Sequence, residues 1–233
     1  MSETTTREQF LANVRRALRR GPVDAATRAQ LEARLAGHRR NLVPARGQVT
    51  GRQRIEDFAR MVEFSLATVA RVPAEAAVPA AVAQYLKQQN LPARIRMAPD
   101  PRLDAIPWAG QPLLAVDRGK PVPSDEVGLS GAFAGIAETG TLMLVSGPET
   151  PSTLNFLPET HIVVIRAGEI LASYEDGWTL LREKLGDMPR TVNFITGPSR
   201  SGDIEQTLQL GAHGPRRLHV VLVDDGAAGG ERS

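Results

Sequence analysis

The turn at residues 197–200 has the residue types needed to hold a small anion. It follows an apolar stretch that predicts a strand, and a helix is predicted over residues 201–210. Free backbone N–H groups at a helix start, a serine hydroxyl and an arginine guanidinium all donate to a carboxylate or a phosphate, and glycine lets the backbone approach a ligand closely. The acidic residue at 203 complements the helix dipole and would repel a highly charged ligand, and an ordinary capped turn would explain the same pattern. The candidate ligand-binding residues here are Gly197, Pro198, Ser199, Arg200 and Asp203.

A second motif, at residues 138–141, separates two apolar runs that predict strands over 127–137 and 141–146. A carboxylate at a strand end beside glycine can act as a general base or nucleophile, or can hold a ligand hydroxyl. A solvated hairpin turn would have the same composition. Glu138 is the candidate catalytic residue, and the candidate ligand-binding residues are Thr139, Gly140 and Thr141.

Histidines are few, and they are not spaced as a metal site. His213 follows Gly211, the predicted cap of the 201–210 helix, where an imidazole can satisfy the last carbonyls. That helix would be about 14 Å long, which predicts that His213 lies at the opposite edge of the sheet from Ser199. We therefore expect His213 to reach the site only through a partner protomer or an unusual loop, and it is a possible site residue. His161 opens a predicted strand and is interpreted as a structural polar group.

The elements that must position these motifs alternate between helices and short apolar runs from about residue 72 onward. This order predicts an α/β fold with a mostly parallel, covered sheet. Ligands of open α/β sheets gather at the carboxyl edge of the strands. We therefore expect Glu138 and the 197–200 turn to meet at that edge. The predicted strands cover 93–97, 112–116, 127–137, 141–146, 161–166, 191–196 and 218–224, and the last two form a β–α–β unit with a right-handed crossover.

The first fifth of the chain differs from the rest in pattern and charge. Helices are predicted from Thr5 or Thr6, from Asp24 to about residue 36 and over 52–68, with a linker over 37–51. Residues 1–60 hold 13 Lys and Arg against 6 Asp and Glu, whereas the remainder holds 15 against 20. The predicted domains are a basic helical arm and linker over 1–50, an α/β domain over 51–225 and a tail over 226–233. The arm suggests an acidic partner or nucleic acid, but solvated arginine faces explain it as well, and its lack of aromatic residues makes nucleic acid an unfavoured partner.

Composition removes several classes of function. The chain has no cysteine, which excludes disulfides, thiolate nucleophiles and cysteine-ligated iron–sulfur clusters within it. Its apolar runs are strand-sized, far short of the roughly 20 residues that span a membrane, and the N-terminus lacks the apolar region of a secretory signal. We expect a cytoplasmic protein without a membrane span and without a metal site.

Taken together in this order and spacing, the motifs resemble the lactate utilization protein C family, which is built on the LUD domain. The resemblance covers about residues 110–224, with Ser201-Gly202 standing where Thr-Ala is expected. The matching stretches are residues 128–130, 134–142, 157–158, 161–164, 197–200, 203–205, 211, 213–215 and 218–220.

The resemblance implies a three-layer α/β/α fold, similar to the sugar-phosphate isomerase and CoA-transferase superfamily. It also implies a non-redox or accessory subunit in the oxidation of L-lactate to pyruvate, beside iron–sulfur partner proteins that would carry any cluster. No cofactor is then expected in this chain, and a homo-oligomer is a further option. The residues of the 197–200 turn themselves predict a small carboxylate or phosphate-bearing ligand between the turn and Glu138. Two alternatives stay open: a stand-alone isomerase or acyl-transfer enzyme that uses Glu138 near the 197–200 turn, and a nucleic-acid-binding module that uses the arm.

Overall fold

Two helices form the first structural unit, which extends to Leu42. The computed structural model describes residues 6–19, 21–201, 209–224 and 226. Helix α1 is Thr6–Ala17 and helix α2 is Ala25–Gly37. Asp24 caps α2 by accepting the backbone N–H of Thr27 at 2.8 Å, and this hydrogen bond lowers the pKa of the Asp24 carboxyl. Neither helix buries a residue, so their arginines are solvated within this unit.

The second unit begins at Val43 and contains the remaining elements. Its helices are α3 Gly51–Phe64, α4 Val78–Gln88, α5 Pro101–Asp104 and α6 Tyr174–Leu185. Its strands are β1 Thr68–Val72, β2 Arg94–Met97, β3 Ala115–Arg118, β4 Val127–Gly131, β5 Ala134–Ile136, β6 Thr141–Val145, β7 Thr160–Arg166, β8 Ile170–Leu171, β9 Val192–Ile195, β10 Arg200–Ser201, β11 Gln209–Leu210 and β12 Arg217–Val223.

A six-stranded sheet with the order β1-β12-β7-β4-β2-β3 is parallel throughout. Side chains of its central strands alternate between the two faces, as the pleat requires. Ile162 and Val164 of β7 join the core under α4, whereas Val163 and Ile165 join the core under α3. The predicted α/β fold with a mostly parallel sheet is confirmed.

A second sheet, which the sequence did not indicate, has the order β8-β5-β6-β9. It shares the α3-side core with the parallel sheet through Leu142 and Leu144. Its opposite face packs against α6, where Leu181 and Trp178 contact the apolar cluster around Met143. The second sheet therefore lies between the parallel sheet and α6.

The prediction of one strand over 127–137 is wrong. Strand β4 ends at Gly131 in the parallel sheet and β5 begins at Ala134 in the second sheet. The chain changes sheets at two residues: the Ala132 N–H bonds the carbonyl of Val164, and the Phe133 N–H bonds that of Met143. Both strands are completely buried, so no polar residue marked the change.

Two further predictions are wrong: the position at which α3 ends, and the sheet to which the strand over 191–196 belongs. Helix α3 ends at Phe64 rather than near 68, because Leu66 adopts a φ of 69°, and β1 follows at once. Strand β9 runs antiparallel to β6, so residues 191–196 and 218–224 lie in different sheets and form no β–α–β unit.

The predicted helix over 201–210 is absent at both of its described ends. Arg200 and Ser201 of β10 pair with Leu210 and Gln209 of β11 in an antiparallel ladder. Residues 202–208 lie outside the described part of the chain. Because the antiparallel ladder brings the chain back alongside the 197–200 turn, residue 211 lies beside residue 199. The predicted helix would have placed them a helix length apart.

Residues 43–50, predicted as part of the arm and linker, belong to the second unit. A short turn of 3-10 helix at Ala45–Gly47 holds Gly47 in a buried position, and Val49 packs against the core under α3. A Cβ on Gly47 would lie 3.1 Å from Oε2 of Glu138. This segment therefore lies directly over Glu138.

Candidate functional site

A cavity of about 290 Å³ lies where the loop after β9 faces the amino ends of β7 and β12. Apolar side chains, buried polar groups and the exposed side chains of Arg200 and His213 contribute to its wall. The lining residues are Asn155, Phe156, His161, Phe194, Ile195, Thr196, Gly197, Pro198, Ser199, Arg200, His213, Gly214, Pro215 and Leu218.

The 197–200 turn is held in place by close packing against the end of α3. Gly197 has a φ of 75°, and a Cβ there would lie 2.1 Å from the carbonyl oxygen of Ser65. Gly140, with a φ of 66°, approaches the same helix: its Cβ would lie 2.4 Å from the backbone of Met61 and Val62. The close approach that these glycines permit is therefore to helix α3.

The 197–200 turn lies at the amino edge of the parallel sheet, not at the predicted carboxyl edge. His161 and Leu218, near the starts of β7 and β12, line the same cavity as the turn. The prediction assumed that the strand before the turn belonged to the parallel sheet, but β9 belongs to the second sheet.

The prediction that His213 lies far from Ser199 is also wrong. The Ser199 N–H bonds the carbonyl of Pro215 at 2.9 Å, and the Gly211 N–H bonds the carbonyl of Ser199 at 2.9 Å. The N–H of His213 reaches Oγ of Ser199 at 3.4 Å. The segment 211–215 thus folds back onto the turn, and one protomer suffices to bring His213 to the cavity.

Glu138 is not part of the cavity wall. Its side chain is buried under the 45–47 turn, where the Arg46 guanidinium lies 3.3 Å from Oε1. Its backbone N–H bonds the carbonyl of Ala172 at 3.0 Å. The structure therefore gives Glu138 its own environment and does not bring it against Arg200.

Hydroxyl groups connect the 138–141 motif to the cavity. The hydroxyl of Tyr174 lies 2.8 Å from Oγ1 of both Thr139 and Thr141. Thr141 in turn hydrogen-bonds Thr196, which lines the cavity. Thr139 and Thr141 are therefore connected to the cavity through Thr196 and do not line it themselves. The candidate residue Asp203 lies outside the described part of the chain.

Comparison with known proteins agrees with the resemblance in the motifs. The family model of the LUD domain matches residues 124–223, which includes β4 to β12. This part of the chain is similar to the LUD domain. An uncharacterized protein of Neisseria meningitidis is 42% identical over 100 residues, and lactate utilization protein C of Anoxybacillus flavithermus and of Bacillus subtilis are 34% and 32% identical over 99 and 102 residues. Each alignment spans 42% of this chain and 42–44% of the relative.

A crystal structure of a DUF162 family protein from Deinococcus radiodurans has a similar fold. The TM-score is 0.56 at 23% sequence identity, and the match covers 75% of this chain and 99% of the other. The likeness supports the α/β fold of this chain.

Buried polar groups at the deep end of the cavity beside the 197–200 turn were not recognised as site residues in the sequence. His161 is 1% exposed, and its Nε2 lies 2.8 Å from Oγ of Ser130. Burial lowers the pKa of His161 from 6.5 to about 4, so the imidazole is neutral at pH 7. Asn155, 6% exposed, comes from a 3-10 turn at Ser152–Asn155. No motif signals either residue, because tertiary folding alone brings the turn to the strand.

The described lining of this cavity has one charged side chain, the cation Arg200. Its described lining contains Arg200 and His213 at the exposed mouth and no Asp or Glu. Within the described part of the chain Arg200 has no ion-pair partner. An unpaired guanidinium beside an apolar wall suits a small anion.

The carboxyl edge of the parallel sheet is occupied by ion pairs instead. Arg102 bonds Asp100 at 2.8 Å and Glu169 at 3.0 Å, and Arg166 pairs with Glu75. These contacts link the segments after β1, β2 and β7, which are not adjacent strands in the sheet. Among the described residues no group of three or more His, Asp or Glu side chains is placed to hold a metal ion.

Replacing Tyr174 with phenylalanine tests the hydroxyl cluster. Tyr174→Phe removes the hydroxyl that lies between Thr139 and Thr141, and we expect the free energy of unfolding to fall by about 1–2 kcal/mol. Urea denaturation of the variant and the wild type measures the difference. Unchanged stability would show that the two threonines satisfy each other at 2.7 Å without Tyr174.

Proposed function

We propose that this protein takes part in L-lactate utilization as a non-redox component beside iron–sulfur partner proteins that oxidise L-lactate to pyruvate. The observation that supports the proposal is its similarity to the LUD domain and to relatives named lactate utilization protein C. The aligned part spans less than half of those relatives, so activity and partners are inferred for this chain.

The residue content of the chain fits a division of labour between proteins. Without cysteine the chain has no thiolates to ligate a cluster, so the proposal places clusters on the partners. The chain itself offers a cavity at whose mouth Arg200 would bind the carboxylate of a small ligand.

The stand-alone isomerase or acyl-transfer alternative is less well supported by the geometry. It requires Glu138 to act on a ligand held by the 197–200 turn, within hydrogen-bond reach of the reacting atom. Glu138 instead contacts Arg46 beneath the 45–47 turn. Turnover by the purified chain alone would favour this alternative.

The remaining expectations concern cellular location, oligomeric state and nucleic-acid binding. Over the residues that the structure describes, no helix has the length and apolar character to cross a membrane. Cytoplasmic location, homo-oligomer formation and the absence of a nucleic-acid partner stay predictions.

Deleting the gene in its own organism tests the proposed function. We expect the deletion strain to lose growth on L-lactate as the sole carbon source, to keep growth on pyruvate, and to recover when the gene is restored. Pyruvate is the matched control because it enters metabolism after the proposed step. Growth of the deletion strain on L-lactate at the wild-type rate would contradict the proposal.

A further inference from the structure

We propose that helix α1 docks on an anionic lipid surface, with an apolar stripe in the interface and with its arginines on lipid phosphates. The apolar stripe is defined by Phe10, Val14 and Leu18. The proposed function gives these residues no role, and the docking does not depend on it.

The apolar stripe faces solvent in the first structural unit. Phe10 is 65% exposed, Val14 37% and Leu18 62%. Their four-residue spacing places them on one face of the helix, and the Leu18 N–H bonds the carbonyl of Val14 at 2.9 Å, which continues the helical turn. Neither α1 nor α2 buries a residue. Because a short helix is only marginally stable in water without packing, a surface that covers the stripe would stabilise α1.

The first unit also carries an excess of positive charge. Residues 1–42 contain nine arginines and no lysine against four acidic residues. Guanidinium groups bind phosphate oxygens in a two-point contact. The charge complement of this unit is therefore an anionic surface.

The arginines of α1 are arranged around the apolar stripe. Arg15 lies at its border and Arg16 on the opposite side, about 100° and 160° around the helix from Val14. Arg7 stands one turn before Phe10, at the amino end of the same face. Neither Arg15 nor Arg16 forms an ion pair with a described residue, so both are available to a bound anion.

This arrangement is typical of helices that lie in a membrane interface. Such helices bury an apolar face at the boundary of the acyl chains and direct Lys or Arg to the headgroups. The aliphatic part of an arginine side chain can follow the apolar surface while its guanidinium stays in water. An anionic leaflet attracts these cations, and salt screens the attraction.

Nucleic acid and a second copy of this chain fit α1 less well. Binding to nucleic-acid phosphates uses cations alone and leaves the apolar stripe without a contact. Stacking on bases uses aromatic side chains, and Phe10 is the only aromatic residue within 1–42. A second copy would have to supply carboxylates, but many of those in the second unit already pair with arginines of that unit, as Asp125 does with Arg96.

Sedimentation with lipid vesicles tests the docking on the purified full-length chain. One set of vesicles contains phosphatidylcholine mixed with phosphatidylglycerol, and the other contains phosphatidylcholine alone. We expect the affinity for the anionic vesicles to be at least about 10-fold higher and to fall as salt is raised. Equal affinity for the two sets, or binding to neither, would overturn the proposal.

Variants separate the apolar stripe from the charge. Phe10→Ser should weaken binding to the anionic vesicles by about 10-fold, whereas Phe64→Ser, at a phenylalanine of the second unit that is 79% exposed, should change nothing. The double variant Arg15→Gln/Arg16→Gln should weaken it by about 10- to 30-fold. Its matched control is Lys120→Gln/Arg190→Gln, at two exposed cations of the second unit. Equal effects of variants and controls would contradict docking through α1.

A tryptophan at position 10 reports whether the stripe enters the interface. After subtraction of the wild-type signal, the emission of Phe10→Trp should shift to the blue on anionic vesicles and be quenched by brominated acyl chains. Bound protein with unquenched emission would contradict the proposal. Tighter binding of poly-glutamate or duplex DNA than of anionic vesicles, at equal salt, would also overturn it and would make an acidic protein or nucleic acid the occupant.

Discussion

Gly140→Ala and Gly197→Ala should each lower the free energy of unfolding by about 3 kcal/mol or more. Both residues have positive φ angles, and a Cβ on either would collide with the backbone of the Met61–Ser65 stretch at 2.4 Å or less. A helix backbone cannot move aside as a flexible side chain can. Urea denaturation followed by circular dichroism measures the loss.

Gly186→Ala is the matched control for the two glycine variants. Its φ of 67° is nearly that of Gly140, but a Cβ there would meet nothing within 4 Å. We expect a smaller loss of about 1–2 kcal/mol, from the strained backbone conformation alone. If all three substitutions lower the free energy of unfolding equally, the packing of the two motifs against α3 does not contribute to stability.

Acidification from pH 7.5 to pH 5 should lower the free energy of unfolding by about 4 kcal/mol through two histidines. Burial lowers the pKa of His161 and of His219 from 6.5 to about 4. Between these values the unfolded chain binds protons that the folded chain excludes, so stability is complete above pH 6.5 and falls as pH drops toward 4. Each histidine contributes about 2 kcal/mol at pH 5.

Denaturation at several pH values, with and without the histidines, isolates this effect. His161→Asn and His219→Asn should each flatten the slope between pH 6.5 and pH 5 by about half of the histidine contribution. Carboxylates that titrate in the same range affect the wild type and the variants alike. A slope that is the same in the wild type and in both variants would show that neither histidine is held neutral by the fold.

The parallel sheet was predictable because its central strands are apolar runs of strand length. Strand β7 is buried along nearly its whole length, and such runs are typical of parallel sheets covered on both faces. The same property concealed the second sheet. Where β4 is followed by β5 every residue is apolar or small, and all but the half-buried Phe133 are buried, so neither pattern nor polarity marked the change at Ala132.

The candidate site was only partly predictable. The 197–200 turn was recognised from its residue types, and His213 proved to be its neighbour through the β10–β11 ladder, which local propensity had assigned to a helix. Glu138 follows a short strand in the second sheet, so the carboxyl-edge argument did not apply to it. Asn155 and His161 have no local signature, since only the fold places them at one cavity.

Reconstitution with native partners tests the central claim that this chain is a non-redox component of lactate oxidation. The chain and its co-purifying iron-containing proteins are separated, and L-lactate-dependent dye reduction is measured for each alone and for the mixture. We predict no iron–sulfur cluster and no dye reduction with the chain alone, and full activity only in the mixture. A stoichiometric cluster or L-lactate turnover in the chain alone, or full activity of the partners without it, would contradict the account.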